Sequence, residues 1–343
     1  MTNICFIDQG LLLRKRGFSC RRCSVCCDTQ RRARLGALPR RAGASRLVNS
    51  SIQVTAEYAQ ALAQANELFN LYNADVPWPW FIRGVVHLQH NRAALAVADL
   101  ERALLMGFRG SEVRIFAAAA LFRAGKVSDA VTYYLEVMRN EIGSVGNPLA
   151  EPNELRKLIG PYIPLWKPPG KLFQQAVCFY CARRFEDAFQ ALDKVVALGR
   201  DYIYAGNEDT GDPLTWEHVL WRIASYRRLK GQTPILSQSE LAAVPTSDIP
   251  LSLIDLYRTN DVAVEEALCQ HESEIATLSD QIRFQFYRGL FWQHRTDSQL
   301  HQRALRHFEQ VAKQIPDENT LDSLDDSAAF LVDVTRIMLH RTL

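Results

Sequence analysis

Apolar residues recur at intervals of three and four along this chain from Thr55 onward. Gly, Pro, Asn or Asp interrupts the spacing at intervals of about a dozen residues, and sustained alternation of apolar and polar residues is rare. Intervals of three and four place side chains on one face of an α-helix, whereas alternation marks a half-buried strand. The pattern therefore predicts an all-α chain of short amphipathic helices.

Three segments share a further pattern, a series of six residues separated by steps of 3, 4, 5, 4 and 3. The series are Gly84, His87, Asn91, Ala96, Leu100, Ala103; then Ala118, Leu121, Gly125, Ala130, Tyr134, Val137; then Ala176, Phe179, Arg183, Ala188, Leu192, Val195. A fourth series, with three extra residues in its turn, is Gly289, Trp292, Ala304, Phe308 and Val311. Small residues at matching places let two helices pack closely, so the series predict repeated helix pairs.

The first two series lie 34 residues apart, which is the period of the tetratricopeptide repeat (TPR). The body resembles that family as a divergent and irregular array, most clearly over residues 77–139 and 169–199. The resemblance implies an all-α, TPR-like α-solenoid of antiparallel helix pairs, interrupted by a Pro-rich segment. It also implies close packing or tight turns at Gly84, Ala96, Ala118, Gly125, Ala130, Ala176, Ala188, Gly289 and Ala304.

Four parts are expected along the chain. Residues 1–54 form a basic leader, residues 55–139 carry the N-terminal repeats, residues 140–168 form a Pro-rich insertion, and residues 169–343 carry the C-terminal repeats with a capping helix. Outside the clear repeats, the spacing predicts helices at residues 216–229, 250–257 and 262–270, terminal helices at 56–72 and 327–341, and at most one short helix in the insertion, at 153–159. Terminal helices would cover the last apolar faces of the array.

The leader differs from the body in charge. Eleven Arg and Lys residues among the first 50 oppose two Asp residues, giving +9, whereas the 29 basic and 36 acidic residues after Ser50 give −7. An Arg-rich, Ser-containing, acid-poor leader is typical of an organellar transit peptide, with cleavage expected between Ser50 and Ala56. The first ten residues carry one charge, Asp8, which resembles plastid leaders more than mitochondrial ones. A cytoplasmic protein with a retained leader is the alternative.

Other interpretations of the leader are a basic arm that binds nucleic acid and a metal site. The cysteines Cys20, Cys23, Cys26 and Cys27 are crowded together, whereas zinc ligands usually come as two separated pairs held by a folded core. We therefore expect no metal at these cysteines, and interpret the leader as disordered or as a transit peptide.

Catalytic motifs are missing from the sequence: it contains no phosphate-binding loop, nucleophile elbow, zinc-protease helix or dinucleotide fingerprint. Cys178 and Cys181 have redox spacing but lie in a helical pattern, so they are interpreted as buried packing residues. His87 and His90, like the His residues near the last repeat, are interpreted as surface or groove residues. The chain is therefore predicted not to be an enzyme and to need no cofactor or metal.

By resemblance to the family, the first helix of each repeat lines a concave groove. The residues expected there are apolar or aromatic: Trp78, Phe81, Val85, Leu88, Ile115, Phe122, Phe173, Val177 and Tyr180. The Lys, Asn and Arg residues with which some family members hold a chaperone's acidic tail are not at these places. Two interpretations stay open: these side chains bind a partner, or a returning helix of the same chain covers them.

The function predicted from these features is a soluble, non-catalytic scaffold, adaptor or assembly factor that binds an apolar or amphipathic segment of another protein. One alternative is a non-catalytic regulatory subunit of an enzyme complex. Another is an RNA-associated organellar factor that uses the basic leader, although the acidic body lacks the basic surface with which proteins hold nucleic acid. No small-molecule substrate is expected, and no uninterrupted apolar run is long enough to span a membrane.

Overall fold

The structure, a computed structural model, describes residues 56–72, 75–108, 110–143, 168–205, 215–234, 236, 240, 248–259, 262–272, 275–293 and 298–342. This part of the chain is all-helical and contains no strand, which confirms the predicted class. The predictions for the leader, its cysteines and its cleavage site, and for the short helix at 153–159, lie outside the described residues.

Fourteen helices occur in the described residues. They are α1 (Ala56–Tyr72), α2 (Pro77–Gln89), α3 (Ala93–Leu105), α4 (Ser111–Arg123), α5 (Val127–Gly143), α6 (Pro168–Cys181), α7 (Phe185–Ala205), α8 (Trp216–Lys230), α9 (Asp248–Thr259), α10 (Val262–His271), α11 (Leu278–Gln293), α12 (Ser298–Lys313), α13 (Glu318–Asp322) and α14 (Asp326–Thr342). The terminal helices predicted at 56–72 and 327–341 correspond to α1 and α14. Those predicted at 216–229, 250–257 and 262–270 correspond to α8, α9 and α10.

Local signals explain several helix ends. Pro77 lies in the first turn of α2, where its fixed φ suits a helix and its missing N–H has no intrahelical partner to lose. Thr215 and His218 form a reciprocal capping box at the start of α8, and Gly231 ends that helix at φ 70°. These ends follow from nearby residues, so sequence spacing places them well.

Three helix-to-helix turns have the same geometry. Their central residues, Asn91, Gly125 and Arg183, occupy one position of the repeat series, and all have positive φ, at 59°, 82° and 63°. The same hydrogen bond closes each turn, from an amide to a carbonyl five residues earlier: Arg92 to His87 at 2.8 Å, Lys126 to Leu121 at 2.8 Å, and Arg184 to Phe179 at 2.9 Å. This is a Schellman ending, in which orphan carbonyls of the first helix are satisfied. Asn91 and Arg183 thus adopt the conformation that Gly125 adopts.

The small residues of the repeat series lie at close helix contacts. A Cβ added to Gly84 would be 2.7 Å from Leu100 Cγ, and one added to Gly289 would be 2.8 Å from Phe308 Cε1. Six alanines of the series are at most 1% exposed: Ala96, Ala118, Ala130, Ala176, Ala188 and Ala304. Larger side chains at these positions would force neighbours out of their rotamers.

From α1 to α10, and again for α11 and α12, consecutive helices in the described part of the chain pack against one another. The chain divides into two units, Met1–Ser50 and Ser51–Leu343, and all fourteen helices belong to the second. Helices α5 and α6, which the Pro-rich insertion separates in sequence, contact each other, with the Tyr134 and Phe179 rings 6.2 Å apart. The last helix, α14, packs against α12, α11, α4 and α6, so the end of the chain returns to its earlier helices. Among the described residues, no helix combines the length and apolar character that crossing a bilayer requires.

Candidate functional site

The predicted groove residues lie inside the protein. Six are buried, at no more than 4% exposure: Phe81, Val85, Leu88, Phe122, Val177 and Tyr180. The other three, Trp78, Ile115 and Phe173, are half-buried and pack against the same core. These nine residues therefore do not line an open groove in the structure.

Several elements cover these side chains. The Phe81 ring packs edge-on against Phe108 and Phe116, at centroid distances of 5.1 and 5.5 Å. The Tyr180 ring packs in the same way against Trp221, at 5.2 Å. These contacts come from the turn after α3, from α4 and from α8, so at these two residues the chain's other helices, and not a returning helix, supply the cover.

The returning helix α14 covers Phe122 and Phe173. The Phe330 ring of α14 lies 6.0 Å from the Phe122 ring and 6.1 Å from the Phe173 ring. Every residue of α14 from Ala328 to Thr335 is buried. Over these two turns α14 is buried on all sides, so this part of the helix belongs to the core. The same chain therefore fills this part of the predicted groove.

Charged pairs anchor this end of the chain, and sequence reasoning missed them. Arg123 Nε donates to Asp333 Oδ2 at 2.7 Å, and both side chains are less than 10% exposed. Arg92 Nη2 donates to Asp322 Oδ2 at 2.8 Å, between side chains 5% and 11% exposed. One signal was present: Asp333 interrupts the apolar run of α14, and a carboxylate so placed requires a buried cation.

A second buried network surrounds Glu265, which is completely inaccessible to solvent. Its carboxylate accepts hydrogen bonds from Trp292 Nε1 at 2.9 Å and Arg288 Nη2 at 3.2 Å, and it pairs with Arg303. Burial alone would raise the pKa of Glu265, but the neighbouring His307, whose Nε2 is 3.8 Å from Oε1, the Trp292 hydrogen bond and the two guanidinium charges together lower that pKa to about 2. A carboxylate with that pKa stays ionised near neutral pH, so it holds the helices α10, α11 and α12 together and does not exchange protons.

Tyr58, His87 and Asp99 form a buried chain that resembles a proton relay. The Tyr58 hydroxyl is 2.8 Å from His87 Nδ1, and His87 Nε2 is 3.4 Å from Asp99 Oδ2. Two hydrogen bonds from Arg83 to Asp99, at 2.7 and 2.8 Å, hold the carboxylate. Burial raises the pKa of Tyr58, which is the opposite of what activation of a phenolic nucleophile requires. We interpret the three side chains as a structural link between α1, α2 and α3.

The prediction of surface or groove histidines is wrong for His87, which is 6% exposed, and for His307, which is 8% exposed. Each satisfies a buried polar partner, Tyr58 for His87 and Gln285 for His307, the latter at 2.7 Å. His294 lies outside the described residues.

Cys178 and Cys181 are buried packing residues, as predicted. Burial raises the pKa of Cys178 well above its usual value and that of Cys181 to about 12. A thiol with so high a pKa is protonated near neutral pH and a poor nucleophile. Among the described residues, no group of three or more His, Cys, Asp or Glu side chains is placed to hold a metal ion.

A surface cleft of about 510 Å³ lies between α3 and α5. We name it the α3–α5 cleft and define it by its lining residues, Glu101, Leu104, Phe108, Arg114, Leu121, Asp129, Thr132, Tyr133 and Glu136. Phe108 and Leu121 form a buried apolar bottom, at 3% and 1% exposure. Sequence reasoning did not find this cleft, because seven of its nine lining residues lie on α3, on α5 and in the turn after α3, whereas the family resemblance points to first helices such as α4, which supplies only Arg114 and Leu121.

Comparison with known protein-family models and with curated proteins finds no match for this chain.

Proposed function

We propose that this protein is a non-catalytic interaction scaffold built as a divergent TPR-like α-solenoid of antiparallel helix pairs. The observation that carries the proposal is the common geometry of the turns at Asn91, Gly125 and Arg183. Asn91 and Gly125 lie 34 residues apart. Each of the three turns follows a helix that has a small residue at a close helix contact. Arrays of such units present extended surfaces to other proteins, and this supports a scaffold role.

The proposed binding surface differs from the groove expected from the sequence. Phe122, Val177 and Phe173 support the packing of this chain around itself, so a partner would have to replace core contacts to reach them. The α3–α5 cleft offers an apolar bottom without any such replacement. We therefore assign partner binding to the α3–α5 cleft, which is formed mainly by the second helices α3 and α5.

Native mass spectrometry of the protein isolated from its source at its natural abundance tests the scaffold role. We expect a stoichiometric second polypeptide in the complex, and we expect that polypeptide to remain after nuclease treatment. Loss of the complex on nuclease treatment would support the RNA-associated alternative instead. A protein found only as a single free chain would contradict the scaffold proposal.

The basic leader is proposed to be an organellar targeting segment. Its +9 charge beside the −7 of the following residues motivates the proposal. We expect N-terminal sequencing of the native protein to begin between Ser50 and Ala56, after removal of the leader. A mature protein that begins at Met1 or Thr2 would rule out cleavage and favour the cytoplasmic alternative.

A further inference from the structure

The outward face of α3, next to the α3–α5 cleft, carries two exposed leucines beside one exposed arginine. Leu105 is 81% exposed and Leu95 is 50% exposed, while Ala98 and Arg102 between them are also exposed. At about 100° per residue, Leu105 lies between Arg102 and Glu101 around the helix, so the leucine borders the wall of the cleft. Single exposed leucines are common on protein surfaces and carry no information. Leu105 differs from such residues because it directly follows Leu104, which lines the cleft, so a ligand in the cleft could also cover it.

The rim of the cleft is negatively charged. Glu101 comes from α3, and Asp129 and Glu136 come from α5, against one lining cation, Arg114. Arg114 Nε is 3.6 Å from Glu136 Oε2, so a single guanidinium opposes three carboxylates. Burial raises the pKa of Tyr133, and the charges of Glu101 and Glu136 raise it further, as expected of a hydroxyl in negative surroundings.

We propose that the α3–α5 cleft and Leu105 bind a basic amphipathic segment of a partner protein. Apolar side chains of that segment cover Leu105 and the bottom of the cleft, and its Lys or Arg side chains pair with Glu101, Asp129 and Glu136. This proposal deepens the scaffold function and rests on it. A second copy of the same chain is a poor occupant, because a symmetric contact at this surface would bring acidic rims together.

The probe is a fluorescein-labelled synthetic helix of about 18 residues, with leucines on one face and lysines on the other. Fluorescence anisotropy measures its Kd for the full-length protein. Combined Glu101→Gln, Asp129→Asn and Glu136→Gln changes should raise the Kd about tenfold, because exposed charge pairs contribute modestly and add. Leu105→Ser should also raise the Kd about tenfold, because the leucine would no longer bury its side chain in the complex.

The matched control removes three acidic charges elsewhere, through Glu67→Gln, Glu266→Gln and Glu309→Gln, all at exposed positions. Its Kd should stay within about twofold of the wild type. Equal weakening by the two triple variants would show attraction to the acidic body as a whole and overturn the proposal. An unchanged Kd for Leu105→Ser would overturn it as well. Circular dichroism checks that every variant remains folded.

Two further measurements test the occupant of this surface and distinguish failure of this proposal from failure of the scaffold function. Sedimentation of the wild type should show no dimer that Leu105→Ser dissociates, since such a dimer would make a second copy the occupant. Leu105→Ser should also release the native partner from the isolated complex. If the partner stays bound to a folded Leu105→Ser protein, the scaffold function stands and this surface is not its site.

Discussion

Phe122→Ala is expected to lower the free energy of unfolding by about 3–5 kcal/mol, the range for removing a fully buried phenylalanine. Phe122 is 0% exposed, and its ring packs 6.0 Å from that of Phe330 on the returning helix α14. Truncation would leave a cavity between α4 and α14 that the surrounding helices fill only in part. Urea unfolding followed by circular dichroism at 222 nm measures the loss.

An exposed aromatic residue provides the control. Tyr72→Ala, at a side chain 46% exposed at the end of α1, should change the unfolding free energy by less than about 0.5 kcal/mol. The comparison decides between the two interpretations of the predicted groove. If Phe122→Ala left stability unchanged and removed partner binding, Phe122 would belong to an open binding groove, and the burial by α14 would be contradicted.

Sequence spacing predicts the local parts of this fold well. The terminal helices α1 and α14 and the helix α8 follow from apolar intervals of three and four, and α8 also from Gly231 at its end. The repeat series places Asn91 and Arg183 in the position of Gly125, and the structure gives all three a positive φ. These features depend on residues close in sequence, so a single sequence contains the information.

Long-range packing is what sequence spacing could not supply. The pairs Arg92–Asp322 and Arg123–Asp333 join residues separated by 230 and 210 positions. An amphipathic pattern says that a helix has an apolar face, but not which helix covers it. For that reason the residues beneath α14 fitted both an open groove and a covered one.

The α3–α5 cleft was missed for a related reason. Asp129, Thr132, Tyr133 and Glu136 follow the helical interval on α5, and this spacing reads as an ordinary solvated face. The packing of α3 and α4 beside α5 turns that face into one side of a cleft. The negative charge of the cleft therefore depends on the packing of separate helices, because Glu101 comes from α3 and Asp129 and Glu136 come from α5.

Removing one partner of the Arg123–Asp333 pair should lower the free energy of unfolding by about 3–5 kcal/mol, because the remaining charge stays buried. Asp333→Leu leaves Arg123 with hydrogen bonds to the Leu88 carbonyl and the Asn91 side chain, while a remaining opposing charge, on Asp326, acts without a direct contact. Arg123→Leu should cost less, since Arg336 Nη1 is 3.5 Å from Asp333 Oδ1. Denaturant unfolding measures both variants.

The double variant Arg123→Leu/Asp333→Leu removes both charges, so it separates the attraction within the pair from the cost of burying one unpaired charge. It should be more stable than Asp333→Leu alone, because apolar residues of similar volume can replace a buried ion pair at little cost. The exposed pair Arg258–Asp255, with side chains 51% and 43% exposed, is the control, and breaking it should change stability by less than about 1 kcal/mol. Equal small effects at both pairs would mean that solvent reaches Asp333, and the closed packing of α14 against α4 would then be wrong.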